Sequence, residues 1–326
     1  MLDKEKIQKK HILIIAAVVL IGIITVLLIL FIPDSKYYNV NDEENFSKWH
    51  QKIIYKGHYY HKNKDVSPIL FLGVDHADGL DDAIYLGRGG RSDTIYVFFL
   101  NKKEKTTTLL SISRDTMTEV DVYNPEGRYY YSGVMQVTMQ YAYGNNDKTS
   151  TLLSEKTISE LLYNLDFDAY LSVNLEAIGD VINMLGGLTI TMPEDYSYID
   201  PRYTKGAELT LDSWEVEWLL RYRDKSQLES NDDRMKRQTT LIMTAVEELK
   251  QRDILSMIPD ILRMTKNNIT TNAGLGTIKK LASYDISEDR YSVPGENRAG
   301  DIHAEFYVDE PALMDLLVEL LYVKEE

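Results

Sequence analysis

The hydrophobic and polar residues of this chain alternate in blocks that predict strands and helices. Three apolar runs occupy 69–75, 94–100 and 106–112, and such runs are typical of strands buried on both faces of a sheet. The second and third runs flank the polar segment 101–105, which predicts an antiparallel hairpin. The first two are separated by 76–93, a glycine-rich and charged segment that predicts a loop.

The rest of the chain alternates between helical and strand-like patterns. Gly186 and Gly187 follow one predicted helix and are typical of a helix C-terminus. The alternation predicts an α/β fold, a three-layer α/β/α arrangement with a mixed central sheet. Helices are predicted over 149–163, 175–185, 213–223 and 231–251, with two or three more after residue 253, strands over 53–55, 169–174 and 188–193, and loops over 194–211 and 285–308.

A long apolar segment near the N-terminus predicts a membrane anchor. Residues 12–32 contain no charge, and a helix of this length spans a hydrocarbon core of about 30 Å. A cleaved signal peptide is the alternative, but its apolar region is typically about 7–15 residues and ends in a small-residue cleavage site, which is absent here. Four lysines precede the segment, so the positive-inside rule predicts a cytoplasmic N-terminus.

These features divide the chain into four predicted parts. Residues 1–11 form a cytoplasmic tail, and residues 12–33 form a single transmembrane helix. Residues 34–66 are polar and tyrosine-rich, which predicts a juxtamembrane stalk, and residues 67–326 form an extracellular domain. The expected location is therefore the cell membrane, with the domain outside it.

Composition excludes several classes of function. The net charge of the 326 residues is −15, which argues against binding to nucleic acid, since such binding needs a basic face. Cysteine is absent, so disulfides, thiolate nucleophiles and iron–sulfur ligands are excluded. His58 and His61 are three residues apart, but exposed surface histidines explain them better than a zinc site does.

Charged residues recur where apolar elements begin or end. They occur in the stretches "GRGGRSDT" at 87–94, "SRDT" at 113–116, "RYRD" at 221–224 and "DDRMKRQ" at 232–238. Any one stretch has an ordinary structural explanation, such as an arginine that complements a helix dipole or an aspartate in a turn. The joint recurrence of arginine favours phosphate binding, because its guanidinium group contacts phosphate in a bidentate manner.

Three aspartates belong to the same pattern. Asp75 ends the first apolar run, Asp93 precedes the second, and Asp115 follows the third. Carboxylates beside a phosphate-binding arginine cluster favour a hard divalent cation, most often Mg²⁺. The sequence therefore predicts Mg²⁺ as the cofactor.

These stretches, in this order, carry a resemblance to a known family. The chain resembles the LytR–CpsA–Psr family of cell-wall enzymes, and the motifs lie within 66–252, whereas 253–326 resemble only the more variable C-terminal part of some members. The motifs are "ILFLGVD", "GRSDTI", "LLSISRDT", "QYAYG", "VINMLGGLTITMPED", "RYRD" and "DRMKRQ".

The resemblance implies an activity and its partners. It implies a phosphotransferase that moves a glycopolymer from undecaprenyl pyrophosphate to peptidoglycan, and a long apolar pocket for the polyprenyl chain. Arg114 would hold the pyrophosphate, and Asp93 and Asp115 would bind Mg²⁺. The other residues expected around the pyrophosphate are Arg91, Arg221, Arg223, Arg234, Arg237 and Gln238.

The mechanism implied by the resemblance leaves the general base open. Arg114, Arg223 and Arg234 are expected to stabilise phosphate oxygens, since positioning and charge stabilisation do most of the work in phosphoryl transfer. Either Asp75 or Asp115 could accept the proton of the attacking sugar hydroxyl.

This sequence departs from the family pattern at three positions. A lysine that is common before the "AYAYG" motif is replaced by Gln136. An aspartate that is common three residues before Arg234 is replaced by Asn231, and a proline that is common before the "RD" pair is replaced by Ser113.

Other functions compete with transfer to peptidoglycan. A non-catalytic binder or regulator of lipid-linked polymers is favoured by the cation missing at Gln136. A polyprenyl pyrophosphatase would use the same site with water as the acceptor. A transcription factor is disfavoured by the acidic charge and the predicted topology, and a serine hydrolase by the absence of a Gly-x-Ser-x-Gly motif.

Overall fold

A computed structural model describes most of the chain after residue 48. The predicted tail 1–11 and transmembrane helix 12–33 lie outside the described residues, so both stay predictions. The helices in the described part of the chain are too short or too polar to span a bilayer. The described residues are 38–39, 49–75, 90–124, 126–222, 237–238, 240–241, 244, 259, 263, 268–300 and 303–325.

The described residues form two compact units, one up to Lys62 together with 323–325, and one over Asn63–Tyr322. The first contains a four-stranded sheet of β1 (Tyr38–Asn39), β2 (Lys52–Tyr55), β3 (His58–Lys62) and the C-terminal strand Tyr322–Lys324. The strand predicted at 53–55 is confirmed, and the segment predicted as a stalk also contains β3. Both histidines of β3, His58 and His61, are exposed.

The second unit contains the central sheet and all described helices. Its elements in chain order are β4 (Val66–Asp75), β5 (Arg91–Asn101), β6 (Thr106–Ile112), β7 (Met117–Tyr123), β8 (Tyr129–Gln136), a 3₁₀ helix (Val137–Tyr143), α1 (Asp147–Leu161), β9 (Ala169–Asn174), α2 (Leu175–Leu185), β10 (Leu188–Thr191), β11 (Glu208–Leu211), α3 (Ser213–Arg221), β12 (Ile269–Thr271), α4 (Leu275–Ser283), β13 (Asp285–Ser292), β14 (Gly295–Ala299), β15 (Ala304–Val308) and α5 (Glu310–Leu321).

The central sheet has six strands in the order β12-β9-β4-β5-β6-β13. β4 runs parallel to β9 and β6 runs parallel to β13, whereas the other neighbours are antiparallel. Four consecutive residues of β4, 67–70, are buried, so both faces of this strand are covered. The predicted mixed α/β fold with a mixed central sheet is therefore confirmed, and covered faces are what the predicted layers require.

The predicted hairpin between β5 and β6 is confirmed, but β5 begins three residues earlier than predicted. Its pairing with β4 continues as far as Arg91 opposite Asp75. The register shifts between Gly73 and Val74, so Asp93 is an extra residue on β5, as in a β-bulge. Gly73 allows the close approach at this point, because a Cβ atom there would lie 2.9 Å from the Cβ of Thr94.

The loop predicted over 285–308 is wrong, because this segment contains β13, β14 and β15. β13 is a mostly exposed edge strand with the polar sequence "DISEDRYS", and it lacks the apolar alternation by which strands are recognised. Its strand conformation comes from pairing with β6, about 180 residues earlier in the chain. The loop predicted over 194–211 similarly ends in β11, which pairs with β10.

The helix α2 ends as its two glycines predict. Gly187 donates its backbone N–H to the carbonyl of Ile182, and Gly186 donates to that of Asn183, which together form a Schellman motif. Both glycines have positive φ, 76° at Gly186 and 111° at Gly187. The strand β10 begins shortly after this turn and pairs with β11. In the chain, β11 is followed by α3.

The two glycines should differ in their tolerance of a side chain. We expect Gly187→Ala to lower the free energy of unfolding by about 2 kcal/mol, because strain at positive φ adds to a steric clash. A Cβ at Gly187 would lie 2.8 Å from Cγ2 of Thr210 and 3.2 Å from the carbonyl oxygen of Leu211. Gly186→Ala is the matched control and should cost about 1 kcal/mol, since its Cβ would meet nothing within 4 Å. Urea denaturation measures both, and equal losses would contradict the steric argument.

Candidate functional site

Sheet topology brings three charged segments to one edge. β5 runs antiparallel to both β4 and β6, so the start of β5 lies beside the end of β4 and the residues that follow β6. Ile95 pairs with Ile112, and two residues beyond this pair in the same register are Asp93 and Arg114. The side chains at this edge therefore come from segments that are far apart in sequence.

Arg114, which is buried, forms an ion pair with the half-buried Asp93. The Arg114 Nη1 atom contacts the Asp93 Oδ2 atom, and Arg114 is only 9% exposed. Thr138, in the 3₁₀ helix, donates its hydroxyl to Asp93 Oδ1 at 3.4 Å. A buried guanidinium group requires such a partner, because an isolated charge in the interior is costly.

Asp115 lies on the other side of Arg114 and is almost completely buried, with 1% exposure. Its Oδ1 atom lies 3.6 Å from Arg114 Nε and accepts a hydrogen bond of 2.6 Å from Gln136 Nε2. The same Gln136 nitrogen also donates to the backbone carbonyl of Ala304 at 2.9 Å. The site thus contains one cation between two carboxylates, and a glutamine that connects it to β15.

A tight turn presents Arg114 and Asp115. Thr116 donates both its backbone N–H, at 3.0 Å, and its hydroxyl, at 2.7 Å, to the carbonyl of Ser113. Thr138 N donates to the Arg114 carbonyl, and Phe306 N donates to the Asp115 carbonyl. The backbone of this turn is therefore held by the 3₁₀ helix and by β15.

Asp75 is paired with Arg221, the last residue of α3. The Arg221 Nη2 atom donates to Asp75 Oδ1 at 2.8 Å and lies 3.2 Å from Oε1 of Glu217. Burial raises the pKa of the Asp75 carboxyl, the charge of Arg221 opposes this rise, and the negative charges of Asp93 and Glu217 add to it. Asp75 thus holds a proton more readily than an ordinary aspartate.

Gln238 and Arg237 contact the end of α3 from a helical segment. Arg237 donates from Nε to the carbonyl of Leu219 at 2.6 Å, and its Nη2 atom donates to the carbonyl of Tyr222. Gln238 donates to the carbonyl of Leu220 at 3.1 Å and accepts from the Thr94 hydroxyl at 3.1 Å. Two guanidinium nitrogens of Arg237 thus donate hydrogen bonds to backbone carbonyls at the C-terminal end of α3, and these bonds hold that end of the helix in place.

A cavity of about 90 Å³ opens at this edge of the sheet. This volume exceeds the roughly 10–15 Å³ that one water molecule needs in a cavity, so a small polar group fits. Carboxylates, a guanidinium group and an amide line it together with a small apolar surface. The lining residues are Gly73, Asp75, Asp93, Thr94, Leu220, Arg221 and Gln238.

Most of the residues predicted from sequence meet at this cavity or at the ion pair beside it. Arg91 is exposed at the start of β5, opposite Asp75. Arg223 and Arg234 lie outside the described residues, so their predicted contacts with phosphate stay predictions. The residues brought together are Asp75, Asp93, Arg114, Asp115, Arg221 and Gln238.

The sequence does not predict the roles of two site residues, Gln136 and Thr94. Gln136 was recognised only as a departure from the family pattern, and its bond to Asp115 depends on a hairpin, β7–β8, with no counterpart among the predicted elements. Thr94 was predicted as a strand residue. It follows the bulge at Asp93, donates its hydroxyl to Gln238 and lines the cavity with it.

The described residues have some, but not all, of the features of a metal site. They contain no group of three His, Cys, Asp or Glu side chains placed to hold a metal ion. Asp93 lines the cavity together with Asp75, and Mg²⁺ is usually held by one or two carboxylates together with substrate phosphates and water. The carboxylate oxygens present fit that mode of binding, in which the substrate supplies the remaining ligands.

The mixed sheet and its edge of paired arginines and carboxylates define a class of α/β protein with a site suited to an anionic group. The LytR_cpsA_psr family model matches residues 33–317, and the chain therefore belongs to this family, as its motifs predicted.

Similar proteins include enzymes named for cell-wall polymer transfer. Bacillus subtilis TagU, named as a polyisoprenyl-teichoic acid–peptidoglycan teichoic acid transferase, is 28% identical over 79% of this chain and 78% of its own length. The crystal structure of B. subtilis TagU has a TM-score of 0.58 with 24% identity, over 79% of this chain and 96% of that chain. The structure of TagT bound to LI-WTA has a TM-score of 0.56 with 25% identity, over 79% and 90%.

The buried bond between Gln136 and Asp115 gives a pH-dependent prediction. Gln136→Glu replaces the amide donor by a second carboxylate against Asp115, so we expect a loss of about 3 kcal/mol in the free energy of unfolding at neutral pH. The loss should shrink as the pH falls, because a proton on one carboxyl restores a hydrogen bond between the two.

Urea denaturation between about pH 5 and pH 8 measures this effect. The matched control is Gln51→Glu, since Gln51 is exposed and its replacement should change the free energy of unfolding little at any pH. A loss in Gln136→Glu that is the same at every pH would contradict the proposed carboxylate pair.

Proposed function

We propose that this protein is a membrane-anchored phosphotransferase that moves a glycopolymer from undecaprenyl pyrophosphate to peptidoglycan. The observation that carries this proposal is the buried Arg114, held between Asp93 and Asp115 beside a cavity lined by Asp75 and Arg221. Membership of the family and the transferase names of its relatives support the same reaction. The membrane anchor predicted over 12–33 would keep the enzyme beside its lipid carrier and outside the cell.

The arginines would bind the pyrophosphate of the donor. Arg114 and Arg221 are both held by carboxylates in the described part of the chain, so their positions are set before the substrate arrives. Pre-positioned cations stabilise the negative charge that grows on the leaving lipid phosphate. Arg91, which lies opposite Asp75 in the sheet, would add a further contact, and Gln238 would donate from the wall of the cavity. Arg223 and Arg234 stay predicted phosphate ligands.

Of the two carboxylates predicted to bind Mg²⁺, Asp93 would hold the ion together with the phosphate oxygens of the donor. The bound ion would supply Lewis-acid stabilisation of charge on the phosphates. Asp93 is the more accessible of the two carboxylates, since it lines the cavity, whereas Asp115 is 1% exposed. Asp115 would therefore act mainly by fixing Arg114.

Asp75 is the better candidate for the general base. It lines the cavity, and its raised pKa suits a group that accepts a proton. Asp115 is buried and accepts a hydrogen bond from Gln136, so an acceptor hydroxyl would not reach it without displacing that contact.

The proposed step breaks a phosphoanhydride bond of the donor and forms a phosphate ester with the acceptor. The oxygen of a peptidoglycan hydroxyl attacks the phosphorus atom that carries the glycopolymer, and its proton passes to Asp75. The bond from that phosphorus to the bridging oxygen breaks, and undecaprenyl phosphate leaves with the electron pair. The product is a phosphodiester between glycopolymer and peptidoglycan, with no oxidation or reduction.

Replacement of Arg114 tests the proposal. In the purified full chain with a lipid-linked glycan donor, peptidoglycan and Mg²⁺, Arg114→Ala should lower the transfer rate at least about a hundredfold. Arg114→Lys keeps the charge in the buried pair but loses the bidentate geometry, so it should fold and still be slow. Exposed Arg298→Ala is the matched control.

Product analysis separates the competing activities. Transfer gives lipid phosphate together with glycan-labelled peptidoglycan, hydrolysis gives lipid phosphate and free glycan phosphate, and a binding protein gives no lipid phosphate. Near-normal transfer by Arg114→Ala, or an absence of transfer by the unchanged protein, would overturn the proposal.

The raised pKa of Asp75 predicts the acid side of the pH–rate profile. As the pH falls through that pKa, Asp75 becomes protonated and kcat/KM should fall. Arg221→Gln removes the positive charge that lowers the pKa of Asp75, so the fall should begin at a higher pH. Measurement of kcat/KM against pH tests the shift, with Arg298→Gln as the control, and an unmoved acid limb in Arg221→Gln would contradict Asp75 as the base.

A further inference from the structure

The helix α3 carries exposed aromatic rings on one face. Trp214 and Trp218 are 66% and 46% exposed, and their rings lie parallel, with centroids 6.0 Å apart and an interplanar angle of 4°. Tyr222, four residues further, packs its edge against Trp218 at 6.2 Å, and the exposed Tyr198 packs against Tyr222 at 5.6 Å. We refer to Trp214, Trp218, Tyr222 and Tyr198 as the aromatic ladder.

The fold does not need the two tryptophans for its core. α3 buries Val216, Leu219 and Leu220 against the body of the unit, and these residues lie on a different side of the helix from the ladder. The start of the helix is fixed by a capping box between Asp212 and Glu215. Two large rings thus stay exposed on a rigid helix, where such a patch marks an interaction surface.

The aromatic ladder leads to the proposed active site. Arg221 follows Trp218 by three residues and therefore shares its face of the helix. Arg221 pairs with Asp75, and Leu220 and Arg221 both line the cavity. A molecule lying along the ladder would consequently reach the cavity with one end, which makes the ladder continuous with the site.

We propose that the aromatic ladder binds the glycan strand of the acceptor, and this proposal rests on the transfer reaction proposed above. Pyranose rings present flat C–H faces that stack on indole and phenol rings, while their hydroxyls bond to polar groups at the ring edges. Trp214 and Trp218 are four residues apart, about 6 Å along a helix, which is comparable with the length of one sugar ring in a glycan.

The charge around the aromatic ladder favours a glycan strand over an anionic polymer or a membrane surface. Glu215 and Glu217 lie on α3 with the two tryptophans, and Asp212 precedes the helix as its N-cap. Glu215 pairs with Arg202 and Glu217 pairs with Arg221, so the arginines do not outnumber the carboxylates, which can accept hydrogen bonds from sugar hydroxyls. This surface therefore has no excess positive charge to attract a polyanionic glycopolymer or an anionic leaflet, to which basic segments are normally attracted. The uncharged backbone of a glycan strand is the ligand that fits.

The test uses the full chain in neutral nanodiscs and a soluble probe, the tetramer of β-1,4-linked N-acetylglucosamine. The double variant Trp214→Ala/Trp218→Ala should bind the tetramer at least tenfold more weakly by calorimetry. In the transfer assay it should raise the KM for peptidoglycan at least tenfold, with kcat and the KM for the lipid-linked donor within twofold of the unchanged protein. Trp214→Phe/Trp218→Phe should restore part of the affinity.

Two controls show whether the effects of the double variant come from the aromatic ladder itself. Tyr130→Ala removes an exposed ring from the β7–β8 hairpin, outside the ladder, and should leave both measurements unchanged. An unchanged melting temperature confirms that the double variant is folded. If it is not folded, tetramer affinity and the KM for peptidoglycan are measured with Trp214→Phe/Trp218→Phe instead.

Each outcome decides between the two proposals. If transfer occurs and the double variant keeps its tetramer affinity and acceptor KM within twofold, the ladder proposal is wrong and the transfer proposal stands. If the unchanged protein binds the tetramer through the tryptophans but transfers nothing, the proposed function is wrong and a glycan-binding surface remains. If the double variant loses binding to phosphatidylcholine vesicles but keeps its affinity for the tetramer, the ladder proposal is wrong and the ladder is a membrane contact.

Discussion

The site depends on one buried cation, Arg114, and on the two carboxylates beside it. Removing a guanidinium group from water costs several kcal/mol, and Asp93 and Asp115 make its burial possible. Buried ion pairs contribute little net stability compared with apolar residues of the same size, so an arginine that is only 9% exposed at the edge of a sheet calls for another explanation. Binding of an anionic group beside it supplies one, since the cation is then already oriented when the substrate arrives.

This constraint explains why the C-terminal part of the chain belongs to the site. Ala304 accepts a hydrogen bond from Gln136, and Phe306 donates to the carbonyl of Asp115, so β15 supports the turn that presents Arg114. The family motifs end near residue 252, yet the residues that hold Asp115 lie about 50 positions later. Gln136, where a lysine is common in the family, donates to Asp115 instead of supplying another positive charge, which leaves Arg114 as the buried cation between the two carboxylates.

Helix α3 connects the two halves of the proposed function. Its last residue, Arg221, pairs with Asp75 at the cavity, and its exposed face carries Trp214 and Trp218. Arg237 supports this end of the helix by donating to the carbonyls of Leu219 and Tyr222. A predicted phosphate ligand thus lies where it fixes a helix, and in the two proposals above that helix would present a charged group to the donor and an aromatic surface to the acceptor.

The sequence by itself determined the β5–β6 hairpin, the ends of α2 and the family, because these depend on local periodicity, turn residues and contiguous motifs. A short turn fixes the register of the hairpin strands, whose pairing ends with Ile95 opposite Ile112, and Asp93 and Arg114 lie two residues beyond that pair. Only the tertiary structure decided the strand β13, the bulge at Asp93 and the partner of Gln136. Each of these depends on a contact between distant segments, such as the pairing of β13 with β6, and no local pattern of residues encodes such a contact.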